Sequence, residues 1–217
     1  MAKMPVVGEA KTRLSPPLTL AQAAALYEAM LRDTISLVAG LRGMQMAIAV
    51  TPPDALEFFR ANSPPDTLLL PADGAGIGEC LSLALGHLFE AGFRKVLAVN
   101  SDGPSLPFSY LERAVILLEH VDVVLGPSED GGYYLIGMKS FHPELLRDIE
   151  WSTPRVTAQT IRRAEGVGLT VEMLEPWYDV DAADDVARLR EELAALPDGA
   201  LPHTRSFFAT FSMPFSG

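Results

Sequence analysis

Several short stretches of this chain combine residue types that bind phosphate, hold a hard cation or face a reacting group. The run Gly126 to Gly137, GPSEDGGYYLIG, follows the apolar segment Val121 to Leu125 and sets Asp130 beside two glycines and two tyrosines. Gly131 and Gly132 lack a Cβ, so the backbone there can turn sharply or approach a ligand closely. Adjacent residues on a strand face opposite sides, so of Tyr133 and Tyr134 one can pack in the core while the other lines a cleft. A hairpin turn with a solvated Asp130 is the plainer alternative. The segment Gly8-Glu9-Ala10-Lys11-Thr12-Arg13-Leu14 offers backbone N–H groups, a hydroxyl and two cations to a phosphate chain. Ala10 stands where a Walker A loop needs glycine, so this is not a P-loop.

Carboxylates supply the complementary chemistry. Asp102 follows an apolar run at Lys95–Val99 and could hold Mg²⁺ or Mn²⁺ against a diphosphate. Its plainer role is an Asx turn or a helix cap. Asp179 and Asp181 precede the last long helical pattern, where Asp181 by itself reads best as an N-cap. Paired with Asp102 it gains meaning, because hard cations prefer several carboxylate oxygens. Gly76 and Gly78 open a helix that could cradle a nucleoside, and Trp151-Ser152-Thr153 heads another that could receive an acceptor anion.

These residues need a scaffold that brings distant loops together. Apolar segments at 46–50, 67–70, 95–99, 121–125, 133–138 and 169–174 read as strands. Helical patterns cover 20–41, 54–61, 77–91, 108–120, 154–165 and 182–196. Thr19 is the expected N-cap of the first long helix and Gly92 the left-handed cap of the third. Strands alternating with helices, and apolar throughout, imply an α/β fold whose mainly parallel sheet is covered on both faces. Open sheets of this kind bind ligands at the C-terminal ends of their strands, which is where these loops fall.

The 217 residues suit one domain, expected over 1–196, with an aromatic tail over 197–217 that packs on the body or on a second subunit as a homodimer contact. A formal net charge of −11 argues against nucleic acid as partner, while a divalent cation would still allow a phosphate-bearing ligand. The single cysteine, Cys80, excludes an internal disulfide, and no apolar run reaches the length of a membrane span; a cytoplasmic location is expected. HExxH, CxxC, GxSxG and a GxGxxG after a first strand are all missing, so nothing supports zinc hydrolysis, a nucleophile elbow or a nicotinamide enzyme. The chain enters its first loop directly from Met1-Ala2-Lys3-Met4-Pro5, so the opening strand expected of such a sheet is missing or the start lies upstream.

Taken in order, Lys3-Met4-Pro5, Gly8–Leu14, Ser101–Pro107, Gly126–Gly137, Trp151-Ser152-Thr153 and Asp179-Val180-Asp181 resemble the small bacterial GT-A-fold glycosyltransferases. These are the arsenosugar-biosynthesis and radical-SAM/selenodomain-associated type, distantly related to the molybdenum-cofactor and phospholactate guanylyltransferases. The resemblance covers about residues 1 to 190 and is most specific in GPSEDGGYYLIG. It implies a nucleotide-diphospho-sugar transferase fold, Mg²⁺ or Mn²⁺ and a nucleotide-activated donor. The chain departs from the family in its missing first strand, in Gly103 after Asp102, and in Gly76–Cys80, which lacks the family's Asp and Arg.

The expected activity is transfer of a sugar from a nucleoside-diphosphate donor to a small acceptor. Gly8, Lys11, Thr12 and Arg13, with Gly76 and Gly78, would hold the nucleotide, and Asp102 with Asp181 or Asp179 the metal. Asp130 would orient or deprotonate the acceptor beside Gly131, Gly132, Tyr133, Trp151, Ser152 and Thr153. The alternatives are nucleotidyl transfer from an NTP with release of pyrophosphate, and nucleotide binding without turnover.

Overall fold

Strands that are apolar throughout need cover on both faces, and the computed structural model, which describes residues 1–211, supplies it. The elements run β1 (Ala2–Lys3), α1 (Leu20–Ala39), β2 (Ala47–Thr51), α2 (Leu56–Ala61), β3 (Leu68–Pro71), α3 (Ile77–Glu90) and β4 (Val96–Val99). They continue α4 (Phe108–Leu117), β5 (Val123–Pro127), β6 (Tyr133–Met138), α5 (Val156–Gly166), β7 (Val171–Met173), α6 (Ala183–Ala195) and α7 (Pro202–Thr210). Successive residues of β5 and β6 serve opposite layers. Val123, Leu125, Ile136 and Met138 pack with Leu81 and Leu85 of α3 and Ala164 of α5. Val124 and Leu135 meet Leu111 and Ala114 of α4. A third core joins α1 to Val50, Phe59, Leu189 and Phe207.

The strands form two sheets. One is β1-β2-β3, parallel throughout; the other is β4-β6-β5-β7, in which β5 and β7 are parallel but β6 is antiparallel to both its neighbours. The run from Gly126 is therefore a hairpin, the plainer of its two sequence readings, with a register shift at Gly126/Pro127. A continuous apolar run reports burial, not partner, so it could not place β6 between β4 and β5. Gly126 is needed inside this hairpin: a Cβ there would stand 2.3 Å from the Tyr134 ring, which is 2% exposed.

An opening strand is present after all, but it is two residues long. Ala2 and Lys3 pair with Val50 and Thr51 of β2, and the Met1 amine donates to Val99 O of β4 at 2.8 Å. Beside Met1, a cavity of about 210 Å³ lies between β2 and β4, lined by Ala47, Ile48, Leu97 and Val99 with Ile35 of α1 and Leu85 of α3. Burial lowers the Met1 amine to about pKa 6, with Asp102 opposing the shift.

The helix ends follow local chemistry. Thr19 and Gln22 form the capping box that starts α1, and Gly92 takes φ 94° after α3. The aromatic tail contains α7. Its first N–H groups, from His203 and Thr204, donate to the buried Asp33 carboxylate of α1 at 3.2 and 2.8 Å. Phe207 is buried against α1 in the chain's own core, and Phe208 and Phe211 pack on it; Phe215 lies outside the described residues. Among the described residues no helix is long and apolar enough to cross a membrane.

Candidate active site

The loops singled out by residue type meet around one cavity of about 680 Å³, at the ends of β1, β4, β5 and β7. Lys11, Thr12 and Arg13 line one side, Asp102, Asp179 and Asp181 the adjoining floor, and Asp130, Gly132, Tyr133, Trp151, Ser152 and Thr153 the facing wall; Gly76 stands at its rim.

Lys11 is the centre of this arrangement. Its Nζ lies 2.7 Å from Asp181 Oδ1 and 3.0 Å from Asp102 Oδ1, with only 9% of the side chain exposed. Burial by itself would lower the ammonium's pKa; the two carboxylates outweigh it and hold the group above the ordinary lysine value. The backbone at Lys11 is left-handed, φ 49°, a conformation that costs a non-glycine residue about 1 kcal/mol. Arg13, mostly exposed, reaches the second oxygen of Asp181 at 2.8 Å. Burial raises the Asp181 pKa, yet the two cations outweigh it and leave the carboxyl below its usual range.

The two helix-cap readings are answered by neighbours. Asp181 does not cap α6. Asp185 Oδ2 does, accepting from the N–H groups of Asp181 and Ala182 at 3.0 and 2.7 Å, which leaves Asp181 for the cations. Nor does Asp102 cap α4, since Pro107 stands at that position. Asp179 separates from the other two: its oxygens accept from Asn100 Nδ2 at 2.8 Å and Ser128 Oγ at 2.9 Å. Burial, with the Asp102 charge behind it, raises Asp179 to about pKa 6 against these hydrogen bonds.

Among the described residues no three His, Cys, Asp or Glu side chains form a metal-holding group. The donor chemistry nevertheless suits a hard cation, because Asp102 and Asp181 turn oxygens toward one positive centre. That centre is the Lys11 ammonium.

The facing wall is built by the hairpin. Tyr133 lines the cavity edge-to-face with Trp151, ring centroids 6.1 Å apart, while Tyr134 is buried and donates to Glu175 O at 3.0 Å. Asp130 is exposed and its Oδ1 accepts from Gly132 N at 2.9 Å. Glu129 forms a double hydrogen bond with Arg188 of α6, at 2.7 and 3.1 Å, and Arg188 stacks 3.8 Å over the Tyr178 ring. Thr157 N, in the first turn of α5, donates to Gly131 O.

Three glycines do not line the cavity. Gly8, φ 83°, is exposed and turns the chain. Gly131, φ 91°, lies against the Pro154 backbone, where a Cβ would stand 2.3 Å from its carbonyl oxygen. Gly78 makes room for Trp151, whose Nε1 would be 2.1 Å from a Cβ. Gly103 likewise admits the Tyr178 backbone carbonyl, 3.0 Å from a Cβ, and not a ligand. The residue types overlooked in sequence are Asn100, Ser128, Glu129 and Arg188. Asn100 and Ser128 sit at strand ends beside the carboxylates, which was the available signal; the Glu129–Arg188 pairing had none.

A family model described as an uncharacterized protein conserved in bacteria (DUF2064) matches residues 34–153. The chain belongs to this family. It is 28% identical over 191 residues to a 3-phospho-D-glycerate guanylyltransferase of Phenylobacterium zucineum (strain HLK1), covering 83% of this chain and 84% of that enzyme. A solved structure from Desulfovibrio desulfuricans G20, described as a nucleotide-diphospho-sugar transferase, superposes with TM-score 0.86 at 29% identity over 96% of this chain and 93% of that one. A 4-diphosphocytidyl-2C-methyl-D-erythritol synthase superposes with TM-score 0.56 at 12% identity, which shows the fold alone. The fold is thus that of the nucleotide-diphospho-sugar transferases, and these findings place the family member among transferases of that superfamily.

Proposed function

We propose that this chain is a nucleotidylyltransferase that joins an NTP to a small phosphorylated acid and releases pyrophosphate. The carrying observation is the asymmetry of the cavity. One side holds Lys11 and Arg13 on carboxylates, while the other presents hydroxyls, aromatic rings and the start of α5. A sugar or alcohol acceptor needs a base to take its proton, whereas a phosphate acceptor arrives ionised. Asp130, the carboxylate expected to be that base, is exposed and turned back onto its own loop. The 28% identity to a guanylyltransferase over most of its length supports the same reading and suggests GTP and 3-phosphoglycerate as the first pair to try.

An oxygen of the acceptor phosphate would attack the α-phosphorus, and the bond to the bridging oxygen of the β-phosphate would break as pyrophosphate leaves. Lys11 and Arg13 would offset the charge gathering on that leaving group. Ser152 and Thr153, on the cavity wall just ahead of α5, would receive the acceptor's anionic groups. Asp102 and Asp181 are the residues that would hold Mg²⁺ or Mn²⁺, which when bound supplies further charge neutralisation at the phosphates. Asp179, tied to Asn100 and Ser128, would keep the floor of the site in register. Tyr133 and Trp151 would shield the reacting groups from water.

The test is a matrix of the four NTPs against 3-phosphoglycerate and related phosphorylated acids, with pyrophosphate measured. Sugar transfer, the reading favoured by the description of the Desulfovibrio structure, would instead release a nucleoside diphosphate from a nucleotide-sugar. Pyrophosphate from none of the pairs, with diphosphate released from a nucleotide-sugar, overturns the proposal.

A further inference from the structure

The carboxylates that suit a divalent cation already hold a positive charge, and its source is a flexible side chain from another loop. Lys11 Nζ is within 3.0 Å of an oxygen of each of Asp102 and Asp181, and Arg13 covers the remaining Asp181 oxygen. An ammonium and a metal ion cannot share that position, because two like charges at contact distance in a partly buried site repel strongly. A lysine side chain carries four rotatable bonds and a compact charge, so it can move between carboxylate and phosphate without rebuilding the backbone. Lys11 takes a left-handed backbone in a loop that begins at the exposed Gly8, and its side chain is 9% exposed between the two carboxylates.

We propose that Lys11 is a placeholder for the divalent cation: it fills the position between Asp102 and Asp181 in the free protein and yields it only when nucleotide phosphates draw the ammonium away. Metal and nucleotide then enter together, and the free protein binds metal weakly. The part of this that concerns the nucleotide rests on the reading of the cavity given above; the competition between Lys11 and metal does not.

Mn²⁺ binding to the nucleotide-free protein, followed by the loss of the free-ion electron paramagnetic resonance signal, tests the competition directly. Lys11→Met is expected to bind Mn²⁺ at least 10-fold more tightly than the unaltered protein. Adding Asp102→Asn to it should abolish the gain. Removing the ammonium leaves Asp102 without its cation and Asp181 with Arg13 alone, which is itself destabilising, so circular dichroism accompanies each titration. Lys11→Gln, which keeps a hydrogen-bond donor near Asp102, serves where Lys11→Met does not fold. Tight Mn²⁺ binding by the unaltered protein, or binding by the folded variants within about twofold of it, overturns the proposal. No substrate enters this measurement, so failure to release pyrophosphate from any NTP would leave its outcome standing.

Discussion

At the scale of single residues, the glycines of this chain divide into those that turn the backbone and those that admit a neighbour. Gly126 is of the second kind, with the Tyr134 ring where its Cβ would be. Gly126→Ala must push a fully packed aromatic aside, and overpacking of this kind costs about 1 to 3 kcal/mol. Urea unfolding should show the midpoint falling with an unchanged slope. A midpoint equal to that of the unaltered protein would mean that the hairpin yields freely. Lys11, Asp102 and Asp181 were all recognisable as chemistry-bearing, yet lysine was matched to phosphate and aspartate to metal. That they bind one another depends on a turn of chain 170 residues away, and nothing local in either loop encodes it.

Among the elements, those built from local signals were legible and those completed by distant partners were not. The start of α1 was readable because Thr19 and Gln22 cap it within one turn, and β6 because its apolar run is continuous. The helix α7 was not, because the acceptor for its first N–H groups is Asp33, on α1. Asp33→Ala removes that acceptor and leaves one buried and one part-buried donor without it, so a loss of about 1 to 2 kcal/mol is expected, the size of a strong N-cap. Thermal unfolding measures it, and limited proteolysis should show cleavage appearing first near 197–201. The hairpin and α6 are likewise tied across the fold by Glu129 and Arg188. The pair is about half exposed, so Arg188→Ala should cost under about 1 kcal/mol of stability. Steady-state kinetics should show it raising KM for the acceptor, since the Tyr133 wall is no longer anchored; an unchanged KM would separate the clamp from the site.

For the whole molecule, the division into two sheets has a measurable pH signature. The Met1 amine falls from 8.0 in the unfolded chain to about 6 in the folded one. Between those values the unfolded state binds more protons, so stability rises as pH increases from 6 to 8, by about 3 kcal/mol for a shift of this size. Asp179, raised to about 6, acts in the opposite sense and on the acid side, where its contribution is lost as pH climbs from 4 to 6. Denaturation at a series of pH values should therefore find a rise from pH 6 upward. Four apolar β-branched residues added ahead of Met1 would move the amine out of the cavity between β2 and β4, fill that space and flatten the rise. A Gly-Ser extension of equal length should stabilise less, and equal effects would show that the space does not act as a strand site.

The boundary between the two sheets also passes through the cavity. On one side stand β1 and the loop with Lys11; on the other stands Asp102, beyond β4, and the two sides meet at the Met1–Val99, Tyr27–Ser101 and Lys11–Asp102 contacts. The attractions that a ligand must displace are thus among those that bind the halves of the free protein. A polyphosphate seated there would replace internal mortar with its own, and the protein would trade self-cohesion for cohesion through its substrate. Amide exchange in β2 and β4 should therefore slow on nucleotide binding far more than exchange in β5 and β6, which lie wholly on one side of the joint.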